Sequence, residues 1–453
     1  MKILVVDSYC ALGLDTCLRF INYGHEVKWF IDKDEDGKTT TVGDGLVDKV
    51  KDWKPWMNWA ELIFLTDNIS PFLKDIRKYR EKGYPIFGGD DLTAKCELDR
   101  NLGQDIFKKA GIKTMDYVGP FTSFDDGIKH IMENPGRWVS KPCGTEIDKS
   151  LSYVSKSAGD MIFMLKKWKE TGSKQEFILQ KFKPGMEMAV AGHFGPHGFN
   201  KYFLEDWEYK KHMPGDLGVN TGEQGTVMRY VEDSKLAEMV LRPVEKYLHS
   251  INYCGFVDVN CIIDEEDGTP YPLEFTARCG WPCWNIQSAL HEGDPAGWIA
   301  DLVHGMDTQE VKVDKVAVGV VLAHGSYPLN LRPPKEEEGF PVYTDKAFKY
   351  FDNIHPCEVK LGEVPKVVGG QVIDVPDWVT VGTYVLQTTG VGDTIKEAKE
   401  KAYKIMKTIE LPNNQQYRTD ISDSMKETLP KLQNFGYATG LRFDDEDDED
   451  DED

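Results

Sequence analysis

The chain has no CxxC pair, no apolar run approaching the roughly 20 residues that cross a bilayer, and no excess of positive charge. Its nine cysteines are odd in number and scattered, and the closest conspicuous pair, Cys279 and Cys283, has no matching histidines. That pattern excludes a zinc module and a disulfide scaffold and fits reduced thiols in the cytoplasm. The turn after the first apolar stretch, Asp7-Ser8-Tyr9-Cys10-Ala11, lacks the glycines that let backbone N–H groups close on a phosphate, so a dinucleotide-binding loop is not supported. The opening residues, MKILVVDSYCALGLD, read as a strand and a polar turn rather than a signal peptide. The expectation is a soluble cytoplasmic protein with no membrane segment. A formal net charge of -22 argues against nucleic acid as a partner. Ten of those charges lie in the all-acidic run 444–453, which cannot bury apolar surface and is expected to be disordered.

What is present is enough chain for several cores. At 453 residues, three or four compact units are expected. Apolar strands at 2–6, 26–31, 60–65 and 85–87 alternate with helices at 12–23 and 71–82, the pattern of an open α/β sheet ending near residue 115. A helix is expected over 93–110, then a helix over 121–134, a short strand 137–141 ending in lysine and a glycine-bearing loop 142–150. Strands at 151–155, 177–182 and 186–192 and a helix to about 171 complete a second unit. The stretch 210–225 reads as a long glycine-rich loop, and 234–251 as one amphipathic helix. From residue 315 the composition shifts to short strands and Pro- and Gly-rich turns. The helix 394–408, with Asp393 as its cap, closes a small α+β unit.

The most informative stretch is 255–282, GFVDVNCIIDEEDGTPYPLEFTARCGWP. It reads as two strands joined at Asp267-Gly268, a strong hairpin turn signal. Alternation puts Asp258 and Asn260 on one face of the first strand and Glu274, Thr276 and Arg278 on one face of the second. Paired, these bring together oxygen ligands that suit Mg2+ completed by substrate phosphates. A sheet with a solvated polar face is the plain alternative.

Several segments occur in the order of a known family. GGDDLTAKCELDRNLGQDIFKKAGIKT is similar to the helix leading into the nucleotide fold. DLGVNTGEQG resembles the substrate loop usually written GPNTGGMG. YCGFVDVNCII with PLEFTARCGWP resembles the metal-binding strand pair around EFNCRFGDPE. VGVVLAHGSYP and GDTIKEAKEKAYKIM followed by YRTDI resemble the C-terminal domain. On these segments the chain resembles the glycinamide ribonucleotide synthetase (phosphoribosylamine–glycine ligase) family of the ATP-grasp superfamily, from about residue 88 to 421.

The resemblance implies an α/β and α+β multidomain ATP-grasp fold. An N-terminal open α/β domain (1–115) would precede a nucleotide-clamping subdomain (116–195) and a metal and substrate subdomain (196–312). A small C-terminal α+β domain (313–435) and a disordered acidic tail (436–453) would follow. It implies a ligase that joins a carboxylate to an amine through an acyl phosphate. ATP and Mg2+ would be used, with Mn2+ as an alternative ion. Small amino-acid and amine substrates are the expected partners, and a monomer or homodimer the expected assembly.

Residue by residue, the resemblance implies ATP contacts from Lys141, from Arg100 where the family has lysine, from Gln180 and Lys181 beside adenine, and from Glu187 at the ribose. It implies metal ligation by Glu274, with Thr276 in place of asparagine and Asn260 where many relatives are acidic. Arg278, with Lys141, would meet a phosphate or the substrate carboxylate during catalysis. Asp216, Asn220, Thr221 and Gly222 would orient the amino acid. A surface lysine and strand-edge polar residues are the plain alternatives for Lys141 and for Gln180, Lys181 and Glu187.

Departures cluster near the substrates. The family loop GxGGREHA, expected to hold the acceptor phosphate, is DSYCALGLD here, and KADGLAAGKGV is KPCGTEIDKSLSYV, with Lys149 near a later lysine. Glu223 and Gln224 replace Gly and Met, and Trp281 and Cys283 replace Asp and Glu. Glycine with phosphoribosylamine is the best-named pair. A changed amine acceptor (a modified sugar, nucleotide or nucleobase) and a non-catalytic nucleotide-binding relative remain as alternatives.

Overall fold

The computed structural model describes residues 1–143, 152–173, 176–329, 335–344 and 352–444. The expected loop 142–150 and Lys149 therefore lie largely outside the described residues, as does the acidic run from 445.

The chain opens with five parallel strands in the order β3-β2-β1-β4-β5: β1 (Lys2–Asp7), β2 (Glu26–Ile31), β3 (Lys49–Val50), β4 (Leu62–Leu65) and β5 (Ile86–Phe87). Helices α1 (Leu14–Asn22) and α2 (Leu73–Arg80) flank the sheet. β1 and β4 read as continuous apolar runs because both of their faces are covered. The expected helix 93–110 is two, α3 (Asp91–Leu98) and α4 (Arg100–Lys109). Asp99 takes an extended conformation between them and caps α4, its carboxylate accepting from the Asn101 and Leu102 N–H groups. The break sets Arg100 at the first turn of α4.

A four-stranded sheet, β6-β9-β7-β8, follows: β6 (Tyr117–Phe121), β7 (Trp138–Cys143), β8 (Tyr153–Val154) and β9 (Glu176–Lys181), covered by α5 (Phe124–Glu133) and α6 (Ala158–Glu170). Its own core, including Phe124, Ile131, Trp138, Leu165 and Phe177, is separate from the others. Lys141 is within β7, opposite Ile178, rather than at a strand end.

The third sheet has eight strands in the order β16-β15-β10-β11-β14-β19-β23-β20. They are β10 (Gly185–Gly195), β11 (Gly198–Glu208), β14 (Gly225–Val231), β15 (Gly255–Asp264), β16 (Pro270–Thr276), β19 (Val316–Ala323), β20 (Ile354–Pro356) and β23 (Tyr384–Gly392). Two expected boundaries are corrected here. β10 pairs with β11 and β15, so residues 185–195 belong to the large sheet and not to the nucleotide-clamping unit. β14 pairs with β19 across position 312/313, so the C-terminal strands extend the same sheet. The apolar face of Val316–Ala323 is what drives this, since every residue of β19 is buried.

Other elements differ in detail. The stretch 210–225 is not a loop throughout but carries the hairpin β12 (Lys211–Met213) and β13 (Leu217–Asn220). The helix expected at 234–251 is broken at Pro243, which cannot donate within a helix, into α7 (Lys235–Val240) and α8 (Glu245–Ser250) with a 3-10 turn between. After α9 (Cys283–Gln287), a short pair, β17 (His291–Glu292) and β18 (Glu310–Val311), brackets α10 (Pro295–Val303) and leads to the C-terminal strands. Where short strands were expected after residue 315, β21 (Val359–Val368) and β22 (Gln371–Thr380) form one long hairpin. Thr394, not Asp393, caps α11 (Ile395–Met406) by accepting from the Glu397 N–H. After α12 (Met425–Asn434), Tyr437, Leu441 and Phe443 are buried, so the described residues 436–444 belong to the packed body and not to a disordered tail. Among the described residues no helix is long and apolar enough to cross a membrane.

Candidate active site

The cleft lies where the four-stranded sheet faces the large one, and residues 182–184 connect them between β9 and β10. On the large sheet the register decides which side chains share a face. Asn260 is opposite Glu274 and Ala189, and Ala189 is opposite Asp206. One row along, Asp258 is opposite Thr276 and Ala191. Directly opposed residues project to the same side of an antiparallel sheet. The central strand β10 thus offers only two alanine methyls at the level where β11 and β15 bring in carboxylates. Among the described residues, Asp206, Glu208 and Asp258 form the group whose oxygens lie within 4.8 Å of one another.

Cations enter this face from three elements. Arg100 Nη1, from α4, is 2.8 Å from Glu274 Oε2. Lys210 Nζ, just after β11, is 2.7 Å from Glu208 Oε2 and 4.0 Å from Glu274 Oε1. Lys141 reaches it from the small sheet, where burial, and next the charge of Arg100, push its ammonium down to about 8. Burial would raise the Glu274 carboxyl, but Arg100, Lys210 and Lys141 together hold it well below the usual carboxylate range. Glu187 and Lys210 lie in each other's field. Of the residues expected at the nucleotide and metal, Arg100, Lys141, Glu187 and Glu274 are therefore brought together.

The donor set can be tested against a divalent cation. Both carboxylate oxygens of Asp206 and Oδ1 of Asp258 are buried and accept no hydrogen bond. Burial and neighbouring carboxylates push both groups well above the usual range. Buried polar atoms are nearly always satisfied, and an unpaired buried carboxylate is costly. Hard oxygen donors of this kind fit Mg2+. Asp206 and Asp258 carry the buried oxygens left free for an ion, beside Glu208 and Glu274, which are ion-paired to Lys210 and Arg100. Thr276 and Asn260 stand beside them, opposite Asp258 and Glu274 respectively. Sequence reasoning missed Asp206, Glu208 and Lys210. The signal was available: in the run YFLEDWE, residues 202–208, Asp206 and Glu208 alternate onto one face, as Asp258 and Asn260 do. Glu223, one of the departures from the family loop, is also buried here and accepts from the Thr226 hydroxyl.

The other expected residues are more dispersed. Gln180 is buried on β9 opposite Tyr117 and Val139, and Lys181 is exposed next to the connection into β10. Arg278 follows β16 and is held by Glu97, its Nε and Nη2 each 3.1 Å from Glu97 Oε1, with Asp67 at 3.6 Å. It thus meets the C-terminal ends of the parallel strands. There Asp7 accepts from the Gly13 N–H, the Trp29 indole and the Thr66 hydroxyl, and burial pushes it up to about 7. Asp216 is tied to Arg418 Nη1 at 3.0 Å, and Arg418 also grips Asp420 and the Lys211 carbonyl. Thr221 folds back on the Lys210 carbonyl through its N–H and hydroxyl, while Asn220 pairs with Lys211 in the hairpin and Gly222 is exposed.

Residues 317–424 match the family described as phosphoribosylglycinamide synthetase, C domain. The chain is 25% identical over 364 residues to a phosphoribosylamine–glycine ligase of Streptococcus suis, covering 76% of this chain and 79% of that one. It is 25% identical over 368 residues to a bifunctional purine biosynthetic protein of Pichia angusta, covering 78% of this chain but only 44% of the longer relative. The crystal structure of phosphoribosylamine–glycine ligase from Thermotoga maritima superposes with a TM-score of 0.67 at 20% identity, covering 93% of this chain and all of that one. An N5-carboxyaminoimidazole ribonucleotide synthetase, solved as its ADP complex, superposes with a TM-score of 0.57 at 14% identity, covering 89% and 96%. Two sheets facing across a charged cleft, behind an open α/β domain, are the ATP-grasp fold that these solved structures share. Along most of its length the chain is similar to phosphoribosylamine–glycine ligases, and residues 317–424 match that family's C domain.

Proposed function

We propose that the protein is an ATP-dependent carboxylate–amine ligase. It would join glycine to phosphoribosylamine to give glycinamide ribonucleotide, ADP and phosphate. The observation that carries this reading is the convergence of Lys141 from one sheet with Arg100, Lys210 and Glu274 at the other. Three cations on two separately packed sheets are suited to a polyphosphate lying between them. A substrate carboxylate oxygen attacks the γ-phosphorus, the bond to ADP breaks, and an acyl phosphate forms. The amine nitrogen then attacks the acyl carbon and expels inorganic phosphate, with loss of an amine proton. Lys141, Arg100 and Lys210 bind and orient the phosphoryl oxygens, whose charge is spread in the transition state. Asp206, Glu208 and Asp258 would hold Mg2+, which when bound supplies charge neutralisation on phosphate oxygens. The odd number and scattered spacing of the cysteines support a reducing compartment such as the cytoplasm.

A second reading, a changed amine acceptor, is favoured by one specific arrangement. Where an acceptor phosphate would need donors, Asp7 is buried, and Asp67 and Glu97 neutralise Arg278. The deciding experiment is ADP release from Mg-ATP with single amino acids, with and without phosphoribosylamine generated in situ. Release that requires glycine and phosphoribosylamine together is the expected result. Release with an amino acid but indifferent to phosphoribosylamine would replace the acceptor, and no release with any pair would overturn the ligase reading.

A further inference from the structure

A cavity of about 640 Å³ opens at a junction that shares no lining residue with the ligase cleft. Its walls come from α1, from the turn after α9 together with Lys312, and from β23 and α11. These segments are far apart in sequence, and pockets for small molecules form preferentially at such junctions. The volume is that of a nucleotide-sized ligand. Leu18, Pro356, Val391 and Ile405 supply an apolar wall.

The charge of the lining runs against that of the protein. The chain carries -22 overall, yet the cavity is lined by four cations, Arg19, Lys312, Lys401 and Lys404, and only two carboxylates, Asp15 and Asp352. Asp15 is already engaged, accepting from Arg19 Nε at 2.7 Å and meeting His355 Nδ1 at 3.1 Å. Lys401 is balanced by Glu397 at 2.7 Å. Lys312 Nζ donates only to the Ala289 carbonyl, and Lys404 makes no ion pair among the described residues. Two ammonium groups with spare donors and one guanidinium held in place by Asp15 and His355 therefore line one cavity that is open to solvent on the side of Lys404. Among the described residues neither lysine bridges to a carboxylate.

We propose that this cavity is a second binding site, for a small phosphate monoester of nucleotide size. Lys312, Lys404 and the outer edge of Arg19 receive the phosphate, because ammonium and guanidinium groups bind phosphate through charge-assisted hydrogen bonds. The apolar wall receives the rest of the molecule. A ligand seated there contacts the first helix of the N-terminal sheet and the last helix packed on the large sheet at once, so its binding stabilises their junction. The proposal is independent of the reaction performed in the cleft.

The test is calorimetric titration of the full chain with AMP, and with adenosine as the unphosphorylated control. The wild type is expected to bind AMP saturably and adenosine at least tenfold more weakly. The double variant Lys312→Glu/Lys404→Glu is expected to lose AMP affinity at least tenfold, while Lys141→Ala retains it and the KM for ATP of the double variant is unchanged. Asn22→Trp, which fills the rim of the cavity from α1, is expected to reproduce the loss by bulk rather than charge. Absence of saturable AMP binding, or AMP affinity that is undiminished in both altered proteins or is lost in Lys141→Ala instead, would overturn the proposal.

Discussion

Arg100 and Glu274 meet at 2.8 Å, joining the first turn of α4 to the strand that borders the cleft. The contact depends on the break at Asp99, which starts a new helix at Arg100, and it pairs the Glu274 carboxylate beside the carboxylates of β11 and β15. Replacing Arg100 by Ala removes one of the cations facing the phosphates. The KM for ATP is expected to rise about tenfold, equivalent to about 1.4 kcal/mol of binding. Replacing Glu274 by Ala is expected to lower kcat about 100-fold or more, because Arg100 and Lys210 lose the anion that positions both. Initial-rate kinetics against ATP check both outcomes, and an unaltered Glu274→Ala enzyme would remove that residue from the site.

Lys141 is expected to make ATP binding sensitive to alkali. Its ammonium is pushed down to about 8, so it is charged below that pH and neutral above it. As pH rises through about 8 the cation facing the phosphates is lost, and the KM for ATP is expected to climb between pH 7 and 9. Lys141→Arg keeps its charge throughout and is expected to flatten that profile. Identical profiles for the two proteins would assign the pH dependence elsewhere.

Asp206 is expected to cost stability at neutral pH. Its folded-state pKa is raised well above the value of an unfolded chain, so the folded form holds a proton that the unfolded form releases. The penalty is absent in acid, below the unfolded pKa, and grows as pH rises from there. Asp206→Asn should therefore melt higher than the wild type at pH 7.5, with the two converging near pH 3.5. Each kcal/mol relieved is worth about 2–4 °C. Added Mg2+ should raise the melting point of the wild type but not of the variant. A wild type indifferent to Mg2+ would remove the ion from this group.

Arg418 is a long-range clamp on the hairpin β12–β13. It is buried and binds Asp216, Asp420 and the Lys211 carbonyl. Arg418→Ala should destabilise the fold by about 1–3 kcal/mol through unpaired partners. It should also raise the KM for the amino acid more than that for ATP, because the hairpin rather than the nucleotide cleft loses its support. Equal effects on both KM values would show that the hairpin does not position the amino acid.

Much of the local structure was legible. The continuous apolar runs at 2–7 and 62–65 declare buried parallel strands, and Asp267-Gly268 declares the β15–β16 hairpin, whose register puts Asp258 opposite Thr276 and Asn260 opposite Glu274 as alternation requires. The breaks were less visible. An extended Asp99 between two helix-forming stretches is favoured only because its side chain caps α4, and the hairpin in 211–220 is pinned by Arg418, some 200 residues away in sequence.

The sequence by itself determined the apolar buried strands, which carboxylates of the 255–282 hairpin share a strand face, and which family the motifs resemble, since these depend on period-2 alternation and local order. Only the tertiary structure decided that β19 and β23 continue the same sheet as the cleft, that Arg278 is taken by Glu97 and Asp67, and that the free oxygens belong to Asp206 and Asp258 while Glu274 is paired. The physical reason is that strand order and charge pairing are set across gaps in sequence. Two alanines on β10 make room for carboxylates from strands on either side, and no local pattern in 206–208 or 258–260 reports that they meet over it.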